Sequence, residues 1–224
     1  MRALRRAPAG QGCHPAQRQA LVLGRPCAPG GAALTPLRLD RRGWLLPGPD
    51  VRHAPSPNCD ARPAGEPIRL LVVHNISLPP GEFGGPYVEQ LFTNRLDLNA
   101  HPWFARLQGL HVSAHFFVRR DAQVVQFVPA DGRAWHAGVS FFADRQRCND
   151  FSIGIELEGT DTLPYTDAQY ARLAQLTRVL RSRYPLRAVR GHEHIAPGRK
   201  TDPGPAFDWS RYRRDTALPA RLLP

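Results

Sequence analysis

The chain of 224 residues is long enough for one domain with a sizeable core and a tail. Its hydrophobic content of 42% is that of a globular protein, and no apolar run approaches the roughly 20 residues of a membrane helix. The formal net charge of +11 invites a nucleic-acid reading, but eight arginines against the single acid Asp40 concentrate most of it in residues 1–43, and no basic stripe follows.

Residues 1–42 are rich in Pro, Gly, Ala and Arg without periodicity, which predicts a disordered basic extension before a folded domain over residues 43–224. The apolar stretch Ala20–Gly24 is shorter than the roughly 7–15 residues of an export signal, so a cytoplasmic protein is expected. Cys13, Cys27, Cys59 and Cys148 lie far apart and are expected to be free thiols. A Pro-punctuated loop precedes "IRLLVVHN", in which the run from Ile68 to Val73 predicts a buried strand ending on His74. Glycines 81, 84 and 85 make a loop, and Pro86 suits the first turn of a helix reaching about Phe92. "HVSAHFFVRR" and "QVVQFVP" predict two strands with a turn near Asp121.

"FSIGIELEG" alternates. Phe151, Ile153, Ile155 and Leu157 should face one way, and Ser152, Gly154, Glu156 and Glu158 the other. The stretch from Tyr165 to Tyr184 predicts a long helix, with Thr166 and Gln169 as a capping box and Tyr170, Leu173, Leu176, Thr177 and Leu180 on one face. "RAVRGH" reads as a strand ending at His192. This order of elements implies an α/β (α+β) domain, a mixed sheet with helices packed on it.

His74 and His192 each close a predicted strand, and Asp202 follows in a Pro/Gly-stiffened loop. Two imidazoles and a carboxylate form a common catalytic zinc set with the fourth position open. Taken singly, each histidine reads first as a hydrogen-bonded structural residue. Spacing alone does not choose between His192 and His194, because in extended backbone residues two apart point the same way.

"LLVVHNISLPPGEFGGP", "RCNDFSIGIELEGTD" and "IAPGRKTDPGPAFDW" closely resemble the AmpD family of zinc-dependent N-acetylmuramoyl-L-alanine amidases, with motifs in order from about Trp44 to Tyr212. The resemblance implies a single domain with a six-stranded mixed sheet, like that of peptidoglycan recognition proteins. It implies one Zn2+ per chain on His74, His192 and Asp202, with Glu156 as the catalytic carboxylate and Lys200 as a cationic stabiliser. The implied reaction cleaves the amide between the lactyl group of 1,6-anhydro-N-acetylmuramic acid and L-alanine of the stem peptide, in cytoplasmic peptidoglycan recycling. A small muropeptide is then the substrate and the enzyme a monomer, without nucleic-acid or membrane partners.

Glu156 lies beside Gly154, where a small residue leaves room for water or substrate. Glu158 shares its face and is the alternative base, and Lys200 reads alternatively as a solvated loop charge. Asn75, next to His74, and Arg147 are candidate substrate-binding residues, although Arg147 also suits an ion pair with a nearby acid. Phe83 and Trp135 suit either sugar stacking or the core. His115 and His136 are expected behind the ligands or along the substrate. The sequence departs from the family where His194 replaces an aspartate and His111 an arginine. A muropeptide-binding module without catalysis would be expected to lack one of the ligands, and all are present.

Overall fold

The computed structural model describes residues 34–224. Its centre is a six-stranded sheet built from β1 (Val51–His53), β2 (Leu70–Ile76), β3 (Phe116–Val118), β4 (Val124–Gln126), β5 (Ser152–Glu158) and β6 (Ala188–Gly191). The spatial order is β1-β4-β3-β5-β2-β6. Only β3 and β4 pair antiparallel; the other neighbours are parallel. The mixed sheet expected from the sequence is therefore present. The hairpin strands are shorter than their apolar segments, because Arg119–Gln123 form the turn, with Ala122 at φ 70°.

The central strands β2 and β5 are buried on both faces, which is why β2 reads as an almost unbroken apolar run. On the back, Leu71, Val73, Ile153, Ile155 and Leu157 pack against Leu173, Leu176 and Leu180 of α2 (Asp167–Arg183). The helix begins with the expected capping box. The Gln169 amide donates to Thr166 Oγ1 at 3.1 Å, and the Thr166 amide to Gln169 Oε1 at 3.0 Å. On the front, Leu70 and Val72 join Ala137, Cys148 and Ile195. Phe151, expected on the back, also lies in this front cluster, because the strand begins only at Ser152. A third cluster lies under α1 (Tyr87–Phe92), which places Leu91 and Phe92 with Phe104, Phe117 and Phe127. Pro86 is the N-cap of α1, one position earlier than expected.

Residues 34–42, assigned above to the extension, pack on the domain; residues 1–33 lie outside the described residues. Leu37 is buried in the back core, and Leu39 bridges to Leu45. The fully buried Arg172 of α2 donates to the Thr35 carbonyl at 3.0 Å and pairs with Asp50 at 2.8 Å. Cys59 and Cys148 are free thiols; Cys13 and Cys27 precede the described residues. The strand read as ending at His192 stops at Gly191, and His192 opens a short helix, α3 (His192–Ile195). A further helix, α4 (Trp209–Thr216), packs beside α2. Beyond it, the turn Ala220–Leu222 lies against β6, with Leu218 and Leu223 buried. Among the described residues, no helix is long and apolar enough to cross a membrane.

Candidate metal centre and cleft

Sheet register assembles the site. His74 on β2 pairs with Glu156 on β5, and Val73 with Gly191 on β6. His74 and Glu156 therefore lie side by side on neighbouring parallel strands, about 5 Å apart, and His192 follows directly after the end of β6 on the other side of β2. The loop after α3 returns Asp202 to this row. It is tied down where the Glu193 amide donates to the Asp202 carbonyl at 2.9 Å. Tyr165 Oη and Asn75 Nδ2 also donate to the Pro203 carbonyl, at 2.8 and 3.1 Å. Gly191 makes room for that return, since a Cβ there would stand 2.6 Å from Pro203 Cδ.

The atoms His74 Nδ1, His192 Nδ1 and Asp202 Oδ2 form a triangle with sides of 3.0, 3.0 and 3.2 Å. At most one proton, that of a neutral His74, can serve these three contacts. His192 Nε2 lies 3.0 Å from the Ala137 carbonyl, which can only accept, so the imidazole proton sits on Nε2 and leaves Nδ1 bare. Burial and the adjacent His192 hold His74 down to about 4, so it is neutral near pH 7. Lone pairs converging at this separation suit a cation: donors about 2.0–2.1 Å from a tetrahedral ion stand roughly 3.3 Å apart. The three residues form a possible metal site.

Glu156 is buried, and its Oε2 has no hydrogen-bond partner among the described residues. Burial, reinforced by the negative charge of Asp202, holds its carboxyl well above the usual range, while Lys200 opposes the shift. Lys200 is exposed on the cleft wall. Glu158 is already engaged. Its carboxylate accepts from the Gly84 amide at 2.6 Å and from the Arg120 amide at 3.0 Å, fixing two loops. The space read beside Gly154 is filled by the His136 ring, which a Cβ would approach to 2.5 Å. His136 Nδ1 is 2.9 Å from His74 Nε2. His115 stands deeper. It accepts from the Gly154 amide on Nδ1 at 3.0 Å and donates to the Gly132 carbonyl from Nε2 at 3.2 Å.

His194 is turned away from the triangle. Its Nδ1 accepts from the Gly191 amide at 3.0 Å, and its ring meets Trp209 edge-on. The helical turn separates it from His192, which extended backbone would not have done.

The triangle opens into a cleft of about 750 Å3. Leu91, Phe92, Trp103 and Trp135 give it an apolar part, and Asp161, Arg199 and Lys200 a polar one. Trp135 therefore lines the cleft, whereas Phe83 sits under the Arg120 guanidinium, outside that lining. Asn75 lines the cleft and also donates to Asp161 at 2.8 Å. Arg147 is exposed, pairs with Asp150 at 3.3 Å, and lines an adjoining groove that shares Gly138 and Arg199 with the cleft. His111 lies on the cleft wall, 3.3 Å from Asn94. Sequence reasoning missed Trp103, Asp161 and Arg199. For Asp161 a signal existed: it lies in the loop three residues past the end of β5, and loops after parallel strands line sites.

Residues 64–205 match the family model described as N-acetylmuramoyl-L-alanine amidase. The chain belongs to this amidase family. It is 62% identical over 174 residues to the 1,6-anhydro-N-acetylmuramyl-L-alanine amidase AmpD of Escherichia coli K12, covering 77% of this chain and 93% of that one. A crystal structure of a selenomethionine AmpD derivative matches with a TM-score of 0.76 at 61% identity, over 79% of this chain and 98% of the other. The human peptidoglycan recognition protein PGRP-Iβ C, at 16% identity, shares the fold with a TM-score of 0.52, over 79% of this amidase and 99% of that chain.

Proposed function

We propose that this amidase is zinc-dependent and hydrolyses the bond between the lactyl carbonyl of 1,6-anhydro-N-acetylmuramic acid and the L-alanine nitrogen. The observation that carries the metal reading is the triangle of lone pairs on His74, His192 and Asp202, with the unpartnered Glu156 one strand away. The donor set fits zinc, with two nitrogens and one oxygen. When bound, zinc supplies a Lewis acid for the carbonyl, acidifies the attacking water and adds the positive charge that lets Glu156 ionise.

Glu156 takes the proton from the attacking water as its oxygen bonds to the lactyl carbon. It returns the proton to the alanine nitrogen as the C–N bond breaks. Lys200 balances the negative charge developing on the carbonyl oxygen, a contribution of about 10²–10³ in rate for a well-placed donor. Asn75 holds the substrate amide along the cleft, and Arg147 takes a carboxylate of the peptide or sugar in the adjoining groove. The anhydro-sugar specificity is supported by the named activity of the AmpD relative. Cytoplasmic peptidoglycan recycling is the setting that such a substrate implies. All these groups come from one chain, which supports action as a monomer.

Metal analysis with product identification tests the reading. The expected result is about one zinc per chain and release of 1,6-anhydro-N-acetylmuramic acid with a peptide bearing free L-alanine. A fully active metal-free enzyme, or a preference for intact peptidoglycan over anhydro-muropeptide, would overturn it.

A further inference from the structure

We propose that His136 and Ser152 are positioning residues: with the Cys148 carbonyl they form a buried relay that fixes His74 in the tautomer a metal requires. The proposal rests on the zinc reading above. The direction of each hydrogen bond follows from the far end. The Cys148 carbonyl can only accept, so the Ser152 hydroxyl, 2.6 Å away, donates to it. Ser152 Oγ is then left with lone pairs, and His136 Nε2 at 3.1 Å carries the proton. A neutral His136 therefore has a bare Nδ1, which accepts from His74 Nε2 at 2.9 Å. With its proton on Nε2, His74 turns a bare Nδ1 toward His192 and Asp202.

The geometry leaves this chain little freedom. Ser152 is fully buried and His136 nearly so. The His136 ring lies so close over Gly154 that a methyl group would collide with it. Arg62 anchors the far end, donating to the carbonyls of Asn149 at 2.9 Å, Asp150 at 3.1 Å and Ser152 at 2.8 Å. The two histidines in the triangle differ here. His192 is oriented directly by a backbone carbonyl, whereas His74 is oriented through two side chains. Without the Ser152 hydroxyl, His136 Nε2–H has no acceptor in the relay. The opposite tautomer of His136 would donate from Nδ1 and drive the His74 proton onto Nδ1, where an incoming ion must displace it.

Zinc affinity by chelator competition and a long-range proton–nitrogen NMR spectrum of the metal-free protein test the relay. Ser152→Ala should weaken zinc binding at least about tenfold, as such outer partners do. Its zinc-saturated turnover should stay within about threefold, and the His74 Nδ1–H signal should appear. His136→Asn, which offers an oxygen near the position of Nδ1, should keep affinity better than His136→Leu. Wild-type affinity and an unchanged Nε2–H tautomer in Ser152→Ala would overturn the relay. So would equal affinities for His136→Asn and His136→Leu, a comparison that serves if Ser152→Ala does not fold. A wild-type protein that binds no zinc would refute the zinc reading instead, and the tautomer spectrum would still decide the relay.

Discussion

The two glutamates on the front of β5 have different duties, although the strand pattern makes them equivalent. Glu156 has a buried oxygen beside the triangle that is unpartnered among the described residues, whereas both oxygens of Glu158 receive backbone amides. Glu156→Ala should therefore retain zinc and lose about 10²–10⁴ in turnover. Glu158→Ala should lower stability by about 1–3 kcal/mol through two stranded amides. Equal turnover losses at comparable stability would reverse these roles. The histidines separate in the same way: His192→Ala should lose most bound zinc, and His194→Ala should keep it, as read by metal stoichiometry. His115 gives a pH prediction. Burial, with the Arg62 guanidinium alongside, holds it well below the usual 6.5. The unfolded chain takes up this proton below pH 6.5 while the folded protein does not, so stability falls as pH falls, by about 1.4 kcal/mol per unit for this one group. Denaturant titrations of metal-free protein should show a shallower loss in His115→Gln. Parallel slopes would mean that the folded protein also protonates His115.

At the scale of elements, the segment over residues 34–42 behaves as part of the domain. Leu37 fills the back core, and Thr35 is bonded by Arg172. Starting the chain at Gly43 should lower the thermal midpoint by at least about 4 °C relative to a start at Leu34. Loss of the Leu37 side chain alone is worth about 2 kcal/mol or more. Composition hid this segment, because a lone leucine among prolines and arginines has no periodicity to reveal it. The strands β2 and β5 and the helix α2 were legible, since each carries a sustained pattern or a cap. Strand β1, with three residues at a sheet edge, and α4, with only Tyr212 and Thr216 buried, were too short for a pattern to register. The grouping of His74, His192 and Asp202 beside Glu156 was legible only with the family resemblance. Gly154 was misread because a small residue signals close approach without naming what approaches.

Across the whole molecule, the proposed zinc would be held by three separate elements and would tie β2, α3 and the Asp202 loop together. Removing it should lower the thermal midpoint by roughly 8–16 °C if zinc is near a thousandfold above its Kd, and calorimetry with and without chelator measures this. His192→Ala should show almost no chelator effect. The C-terminal turn has a different consequence. Strand β6 is the last in the sheet order, so among the described residues its outer side has no strand partner. The turn Ala220–Leu222 lies over it, and the Arg190 guanidinium of β6 donates to the Leu222 carbonyl at 2.9 Å. An uncovered strand of this kind is a template for pairing with another chain. The last residues are therefore expected to limit self-association. A chain ending at Ala217 should form concentration-dependent aggregates under conditions where the full chain stays dispersed, and light scattering would reveal it before any loss of zinc.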